Sequence, residues 1–339
     1  MLPSISIVIP TLNAATHLGS CLESVAAQDY PKEKIETLII DGGSKDETIR
    51  IAQRFSAKVL KNILKTGEAG KAMGIRKAKN ELILLIDSDN ILVGKDWLEK
   101  MVQPFTDKQI VATEPLYYVA RPTDSLINRY CALIGMNDPL CMFLGNYDRY
   151  NYITDKWTEV PIKTQDNPGY IKFRASGKRF MTMGANGFLA RRTAVLPYSK
   201  NDYYFDIDVT KDLAVSHKTY FAKVDIGIIH IFANDLGEFI KKQKRRVQDY
   251  LYFRQKRTLS VHREEKDSEL NIAAILKFSL STVLTIPLLI QMTRGYIHKP
   301  DKAWLLHIPV CYVTLFIYVS NVCKAKLFSI THMMNRENW

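Results

Sequence analysis

Leu82-Ile83-Leu84-Leu85-Ile86-Asp87-Ser88-Asp89-Asn90 is the stretch on which the fold reading turns. Five apolar residues in succession predict a strand buried on both faces, as in a parallel sheet between helical layers. The run stops at two carboxylates separated by one small residue. In an open α/β sheet, ligands sit beyond the carboxyl ends of the strands, which is where Asp87 and Asp89 fall. Two acids so close repel unless a cation bridges them, and a hard divalent ion with oxygen ligands does so. A polar turn with a helix cap is the alternative for this stretch taken alone.

Working back toward the N-terminus, Ile5–Pro10 is a short β-branched run ended by proline, with Thr11-Leu12-Asn13 as a polar turn. A helix is expected over about His17–Ala27. A second strand, Ile35–Ile40, runs into Asp41-Gly42-Gly43-Ser44-Lys45-Asp46, whose glycines allow close backbone approach to a ligand. Ser44 or Asp46 would equally cap a helix over Glu47–Phe55. Lys58-Val59-Leu60 is a weaker strand. Gly67–Gly74 opens a helix with a glycine-rich, lysine-bearing turn able to hold phosphate, although the Walker spacing is absent. A helix around Trp97–Phe105 completes a β-α-β-α-β-α-β order, the pattern of a doubly wound sheet.

Four of these stretches fall in order: Pro10-Thr11-Leu12-Asn13, Asp41-Gly42-Gly43-Ser44, Gly70-Lys71-Ala72 and Asp87-Ser88-Asp89. Together they resemble the nucleotide-sugar half of family 2 glycosyltransferases with the GT-A fold, a Rossmann-like sheet with helices on both faces. The resemblance implies that Pro10, Thr11, Asn13, Asp41, Gly42, Ser44, Gly70, Lys71, Asp87 and Ser88 contact the donor nucleotide. It makes Asp87 and Asp89 an Asp-x-Asp motif holding Mn2+ or Mg2+. Ala14 and Met73 depart from the family, which often has an acid and an asparagine there.

Further along, Met183–Arg191 resembles the loop that lines the donor sugar, with Gly184, Asn186 and Gly187 in it. Counting back from His230, Asp206 matches the family's catalytic base, and Phe205 replaces a glutamate. Asp208, the second candidate for the base, matches a downstream acid that often caps a helix, here expected over Val209–Ser216. The resemblance makes His230, at the end of the apolar run Phe221–His230, a third metal ligand beside Asp87 and Asp89. Taken alone, a strand-end histidine is more often structural. Between these motifs, residues 111–180 look less regular. Tyr117, Tyr118, Tyr130, Tyr147, Tyr150, Tyr152 and Tyr170 crowd there with Trp157 and Arg149, a composition suited to a sugar-acceptor groove or to half-buried loop tyrosines.

The charge of +12 is uneven: residues 239–266 hold ten Lys or Arg against Asp249, Glu264 and Glu265. A basic amphipathic helix is expected from Leu236 to about Arg257, suited to an anionic membrane surface. Ile272–Thr293 and Ala303–Cys323 are each long enough to cross a bilayer, joined by the polar turn Arg294–Lys302. This predicts a transmembrane hairpin kinked at Pro287 and Pro309, with both ends cytosolic by the distribution of Lys and Arg. A re-entrant or interface-lying helical pair is the second topology, and a soluble helical domain the third. The five cysteines show no metal-ligand spacing, so a reduced setting is expected. No basic-then-apolar leader opens the chain, so no signal peptide is expected.

The expected organisation is a GT-A domain over 1–235, with a nucleotide-sugar half (1–110) and an acceptor half (111–235). An interface helix region (236–268) and a membrane hairpin with a short tail (269–339) follow. The expected activity is metal-dependent, inverting transfer from a UDP- or GDP-sugar to a lipid-linked or growing glycan at the cytosolic membrane face. The rivals are a polyprenyl-phosphate acceptor and a degenerate transferase serving as a membrane partner. Nucleic acid is not an expected partner, and the oligomeric state is open.

Overall fold

The computed structural model describes residues 2–174, 180–216, 219–256 and 271–327. The chain divides into two compact units. One comprises Met1–Ala120, Asn146–Tyr150 and Trp157–Ile231; the other comprises Arg121–Gly145, Asn151–Lys156 and Phe232–Trp339. The expected boundary near 235 falls at 231, and two segments of the expected acceptor half belong to the C-terminal unit.

The first unit is built on one mixed sheet. Its strands are β1 (Ile5–Thr11), β2 (Ile35–Asp41), β3 (Lys58–Lys61), β4 (Leu82–Leu85), β5 (Asn90–Leu92), β6 (Ile110–Val119), β7 (Lys163–Asn167), β8 (Tyr170–Arg174), β9 (Phe188–Arg191) and β10 (Tyr220–His230). They lie in the order β3-β2-β1-β4-β9-β6-β10-β8-β7, with β5 paired to β10. β1 is parallel to β2 and β4, whereas β9 runs antiparallel to β4 and β6. The doubly wound pattern therefore holds for the first four strands and gives way to a mixed sheet beyond them. Residues 111–180, read as irregular, contain three of these strands. Leu82–Leu85 are all buried, as a strand with neighbours on both edges and helices on both faces requires.

Helices α1 (Ala15–Ala26), α2 (Thr48–Arg54), α3 (Gly67–Lys77) and α4 (Trp97–Val102) follow β1, β2, β3 and β5. α1 buries Leu18, Cys21, Leu22 and Val25 against one side of the sheet. As expected, the glycine-rich segment opens a helix: Gly67–Gly74 is itself helical, and Thr66 caps it by accepting from the Ala69 N–H. Its glycines serve close packing. A Cβ on Gly70 would lie 2.9 Å from the Pro10 Cβ, and one on Gly74 2.2 Å from Val8 Cγ1. α3 thus presses directly on β1, which brings Lys71 to the carboxyl end of the sheet, buried at 7% exposure.

The second unit contains α5 (Leu126–Ile134) and α6 (Leu140–Leu144). The first unit adds α7 (Arg192–Val195) and α8 (Asp206–Ser216), and α9 (Leu236–Lys256) then begins the C-terminal helices. α9 buries Phe239, Gln243 and Val247 and exposes Lys241, Lys244 and Arg245. The rest of the expected interface region, 257–268, lies outside the described residues, as does the tail beyond 327. The first apolar run is not one straight helix. It forms α10 (Ile272–Leu284) and α11 (Ile286–His298), bent by 92°. The break sits at Thr285, at φ +63, whose hydroxyl meets the Tyr312 hydroxyl at 2.7 Å. Pro287 follows within the first turn of α11, where its missing N–H costs nothing. The second run gives one continuous helix, α12 (His307–Leu327). Pro309 falls in its first turn, so the expected kink is absent.

Candidate active site

The parallel strands deliver three turns to one end of the sheet. Thr11 and Asp41 are register partners at the ends of β1 and β2. The Asp41 carboxylate accepts from the Gly43 and Ser44 N–H groups at 2.8 Å each, from the Ser44 hydroxyl at 2.5 Å and from Thr11 at 3.1 Å. Both oxygens are thereby occupied in holding their own loop. Asn13, at φ +50, donates its N–H to Ser44 Oγ and accepts from the Lys45 N–H. Gly42 donates its N–H to the Thr11 carbonyl. Asp46 is not the cap residue of α2, yet its carboxylate accepts from the Thr48 N–H at 3.1 Å and from the Ala15 N–H at 3.0 Å. The predicted nucleotide-binding turns around Pro10–Asn13 and Asp41–Ser44 therefore form one laced surface.

Asp87, Ser88 and Asp89 lie in the turn between β4 and β5. Asn90 pins this turn by accepting from the Asp87 N–H at 3.0 Å and donating to Asn186 Oδ1 at 3.0 Å. β5 pairs antiparallel with β10 so that Asn90 faces His230, and the Ile231 N–H reaches the Asp89 carbonyl at 2.9 Å. This register places His230 Nε2 3.6 Å from Asp89 Oδ1. Burial, then the charges of Asp89 and Asp87, push the neighbouring Cys21 thiol well up, so it stays protonated. Among the described residues no three carboxylate, imidazole or thiol groups are arrayed to hold an ion. Of the expected ligands the structure pairs Asp89 with His230, with Asp87 two residues away. Their oxygen and imidazole donors suit a Mn2+-type cation.

Asp206 opens α8, with Asp208 in the same first turn. The helix therefore begins three residues earlier than its expected start at Val209. Lys71 Nζ donates to Asp206 Oδ2 at 2.5 Å, with side chains only 9% and 17% exposed. Among the described residues Asp206 Oδ1 is buried without a hydrogen-bond partner, an acceptor held ready for a donor. Burial raises the Asp206 carboxyl to about 7; Lys71 opposes this, and Asp87 and Glu68 add to it. Burial alone would lower the Lys71 ammonium, but Asp206, Asp87 and Glu68 outweigh it and hold it charged.

The Met183–Arg191 stretch packs against this carboxylate. Gly184 has φ +120, and a Cβ there would lie 2.7 Å from the Asp206 Cβ. Gly184→Ala combines left-handed strain with that clash, at about 1–3 kcal/mol for the strain alone. It is expected to lower turnover by at least about tenfold while the chain remains folded, checked by kcat beside a melting curve.

A buried charge cluster, not read from the sequence as a unit, holds the same loop. Glu114 on β6 accepts from the Gly184 N–H at 2.8 Å through one oxygen. Through the other it accepts from Arg149 at 2.8 Å and Lys223 at 2.6 Å. Arg149 also pairs with Asp148 and donates to the Ala185 and Asn186 carbonyls at 3.2 Å each. Burial would raise the Asp148 carboxyl, but Arg149 and Lys223 outweigh it and hold it low. Burial and the Arg149 charge push Lys223 down. Glu114 and Lys223 are register partners on parallel strands. The available signal was Glu114 as the one charge in β6, and Lys223 as the one buried charge in β10, where Asp225 is exposed. The tyrosine-rich group does not form one surface. Tyr130 and Tyr147 are fully buried, Tyr130 and Tyr152 belong to the C-terminal unit, and Tyr118 accepts from Asn186 while covering Arg149.

Comparison with known proteins places this geometry. Residues 6–193 match the model of glycosyl transferase family 2. Over 107 residues the chain is 33% identical to glycosyltransferase AglE of Haloferax volcanii, covering 30% of this chain and 35% of that protein. Over 258 residues it is 29% identical to the poly(ribitol-phosphate) beta-N-acetylglucosaminyltransferase TarS of Staphylococcus aureus, covering 70% of this chain and 42% of that protein. The chain thus spans less than half the length of either relative. The solved mannosyltransferase PcManGT of Pyrobaculum calidifontis, in complex with GDP-Man and Mn2+, superposes with a TM-score of 0.54 at 14% identity, covering 96% of this chain and 88% of that one. That likeness establishes the architecture. The chain belongs to glycosyl transferase family 2 and has the GT-A fold.

Proposed function

We propose that the chain transfers a sugar, with inversion, from a nucleoside-diphosphate sugar to a hydroxyl of a lipid-linked or growing glycan at the cytosolic face of a membrane. The observation that carries this reading is Asp206. It is a buried carboxylate with one oxygen unpartnered among the described residues, held by Lys71 and packed against the Gly184 loop. Asp206 takes the proton of the acceptor hydroxyl as the hydroxyl oxygen attacks the anomeric carbon. The new carbon–oxygen bond forms as the bond to the diphosphate breaks, and the diphosphate leaves with the electron pair. Attack from the face opposite the leaving group inverts the carbon.

The laced turns of Pro10–Asn13 and Asp41–Ser44, with Gly70 and Lys71 beside them, would bind the nucleotide. The Gly184–Gly187 loop would line the donor sugar. Asp87, Asp89 and His230 would hold Mn2+ or Mg2+. A cation bound there would neutralise the diphosphate as charge develops on it. The likeness to TarS, a beta-N-acetylglucosaminyltransferase, and to PcManGT, solved in complex with GDP-Man and Mn2+, supports a sugar-nucleotide donor and a divalent ion. The apolar Lys302–Asn321 helix and the basic α9 support a membrane location.

The test is nucleotide release by detergent-solubilised full-length protein offered UDP- and GDP-sugars. Release from one donor is expected, lost on chelation and restored by added Mn2+. Undiminished release in chelator would overturn the metal assignment, and absence of donor binding would overturn the enzyme reading.

A further inference from the structure

Resting on the membrane reading above, we propose that the C-terminal helices attach to a single leaflet and that the chain described here does not cross the bilayer. The decisive contacts belong to the turn between the two apolar runs. In a transmembrane hairpin that turn would lie on the far side. Here Asp301 accepts from Arg129 Nε and Nη2 at 3.1 and 2.8 Å, and the His298 ring meets the Tyr152 carbonyl at 2.8 Å.

Arg129 and Tyr152 lie on segments 121–145 and 151–156, each of which leaves the catalytic unit and returns to it. The first contains Arg121, Asp124, Arg129 and Asp138 and the nine-residue α5. Such a helix is about 14 Å long, and six residues reach at most about 20 Å when extended. Neither segment can traverse a hydrocarbon core of about 30 Å and come back. A turn bonded to both stays on their side.

α12 is anchored in the same way along its length. At its first residue the His307 ring meets the Tyr130 hydroxyl and Gln291 Oε1, each at 2.9 Å. Three turns later Tyr318 donates to Asp138 at 2.6 Å, and Asp138 lies 3.8 Å from Arg246 on the basic α9. A span between these anchors would carry an aspartate and an arginine into hydrocarbon.

The bent pair supplies the attachment. α10 and α11 have thirteen residues each, about 20 Å, too short for either to cross. One side of the pair packs inward through Phe278 and Leu288. The other leaves Leu276, Leu280, Val283, Ile286, Ile290 and Ile297 more than half exposed. Exposed Lys277, Arg294 and Lys299 accompany this apolar face, and the chain's charge of +12 matches an anionic surface. The occupant that fits is the acyl and headgroup layer of one anionic leaflet.

The test adds full-length protein to sealed vesicles of phosphatidylcholine and phosphatidylglycerol, with single cysteines at exposed positions, Lys299→Cys in the turn and Lys108→Cys in the catalytic unit. Both are expected to float with the vesicles and to react with an external, membrane-impermeant maleimide to within about twofold. Labelling of Lys299→Cys only after the vesicles are opened would overturn the single-leaflet topology and leave the membrane reading intact. Failure to float, or a dimer that shields the face, would overturn both. The Leu280→Glu/Ile290→Glu double variant is expected to lower vesicle retention by at least about tenfold; unchanged retention would show that another surface attaches the chain.

Discussion

Asp206→Asn is expected to bind the donor with unchanged affinity and to lose transfer by about 10²–10⁴-fold. The amide keeps the shape of the carboxylate and still offers Lys71 an oxygen, so the packing against Gly184 survives. What disappears is the capacity to accept a proton at the buried Oδ1. The measurements are donor binding by calorimetry and single-turnover transfer. Wild-type transfer by Asp206→Asn would assign the acceptor as an oxyanion, such as a polyprenyl phosphate, that needs no base. The pH profile is linked to the same group. With its carboxyl raised to about 7 by burial, wild-type transfer is expected to climb through pH 7 as Asp206 ionises. The stability contribution has the opposite sign. Burial favours the protonated form, so that contribution is present below the unfolded carboxylate range and lost as pH rises through about 7. Asp206→Asn is expected to remove this slope from a series of melting curves.

Arg149→Met is expected to cost about 3–5 kcal/mol of folding stability, because removing one partner leaves buried carboxylates uncompensated. Arg149 and Glu114 are fully buried, and Lys223 alone cannot balance both Glu114 and Asp148. The Ala185 and Asn186 carbonyls lose their donor at the same time. Arg149→Met/Glu114→Gln is expected to regain part of the loss, since it removes the orphaned charge along with its partner. Arg149→Lys retains the charge but not the planar fork. It is expected to fold and to raise the donor KM by more than it lowers kcat, as a displaced sugar loop would. A denaturation midpoint unchanged in Arg149→Met would show that the cluster contributes nothing to the fold.

The elements of this protein were legible wherever periodicity along the chain sets structure. The apolar run Leu82–Leu85 is a central strand, and Asp87 and Asp89 follow it at the carboxyl edge. β10 ends on His230, and the turns at Thr11 and Asp41 meet because parallel strands end together. Motif spacing also carried the family, since residues in one turn keep their spacing whatever surrounds them. The helix carrying Gly70 and Gly74 was read differently: glycine signals conformational freedom, and only packing against Pro10 and Val8 reveals that the missing side chains matter instead.

Sequence alone determined the α/β class, the succession of the first four strands and the acidic turn, because each depends on neighbours a few residues apart. Tertiary structure alone decided the rest. Lys71 and Asp206 are 135 residues apart and meet only because α3 lies flat on β1. Glu114 and Lys223, 109 residues apart, are neighbours only because β6 and β10 pair. The two apolar runs carried enough hydrophobicity for a hairpin. The bend at Thr285 and the bonds from Asp301 and His298 are long-range contacts, and they are absent from any hydropathy pattern.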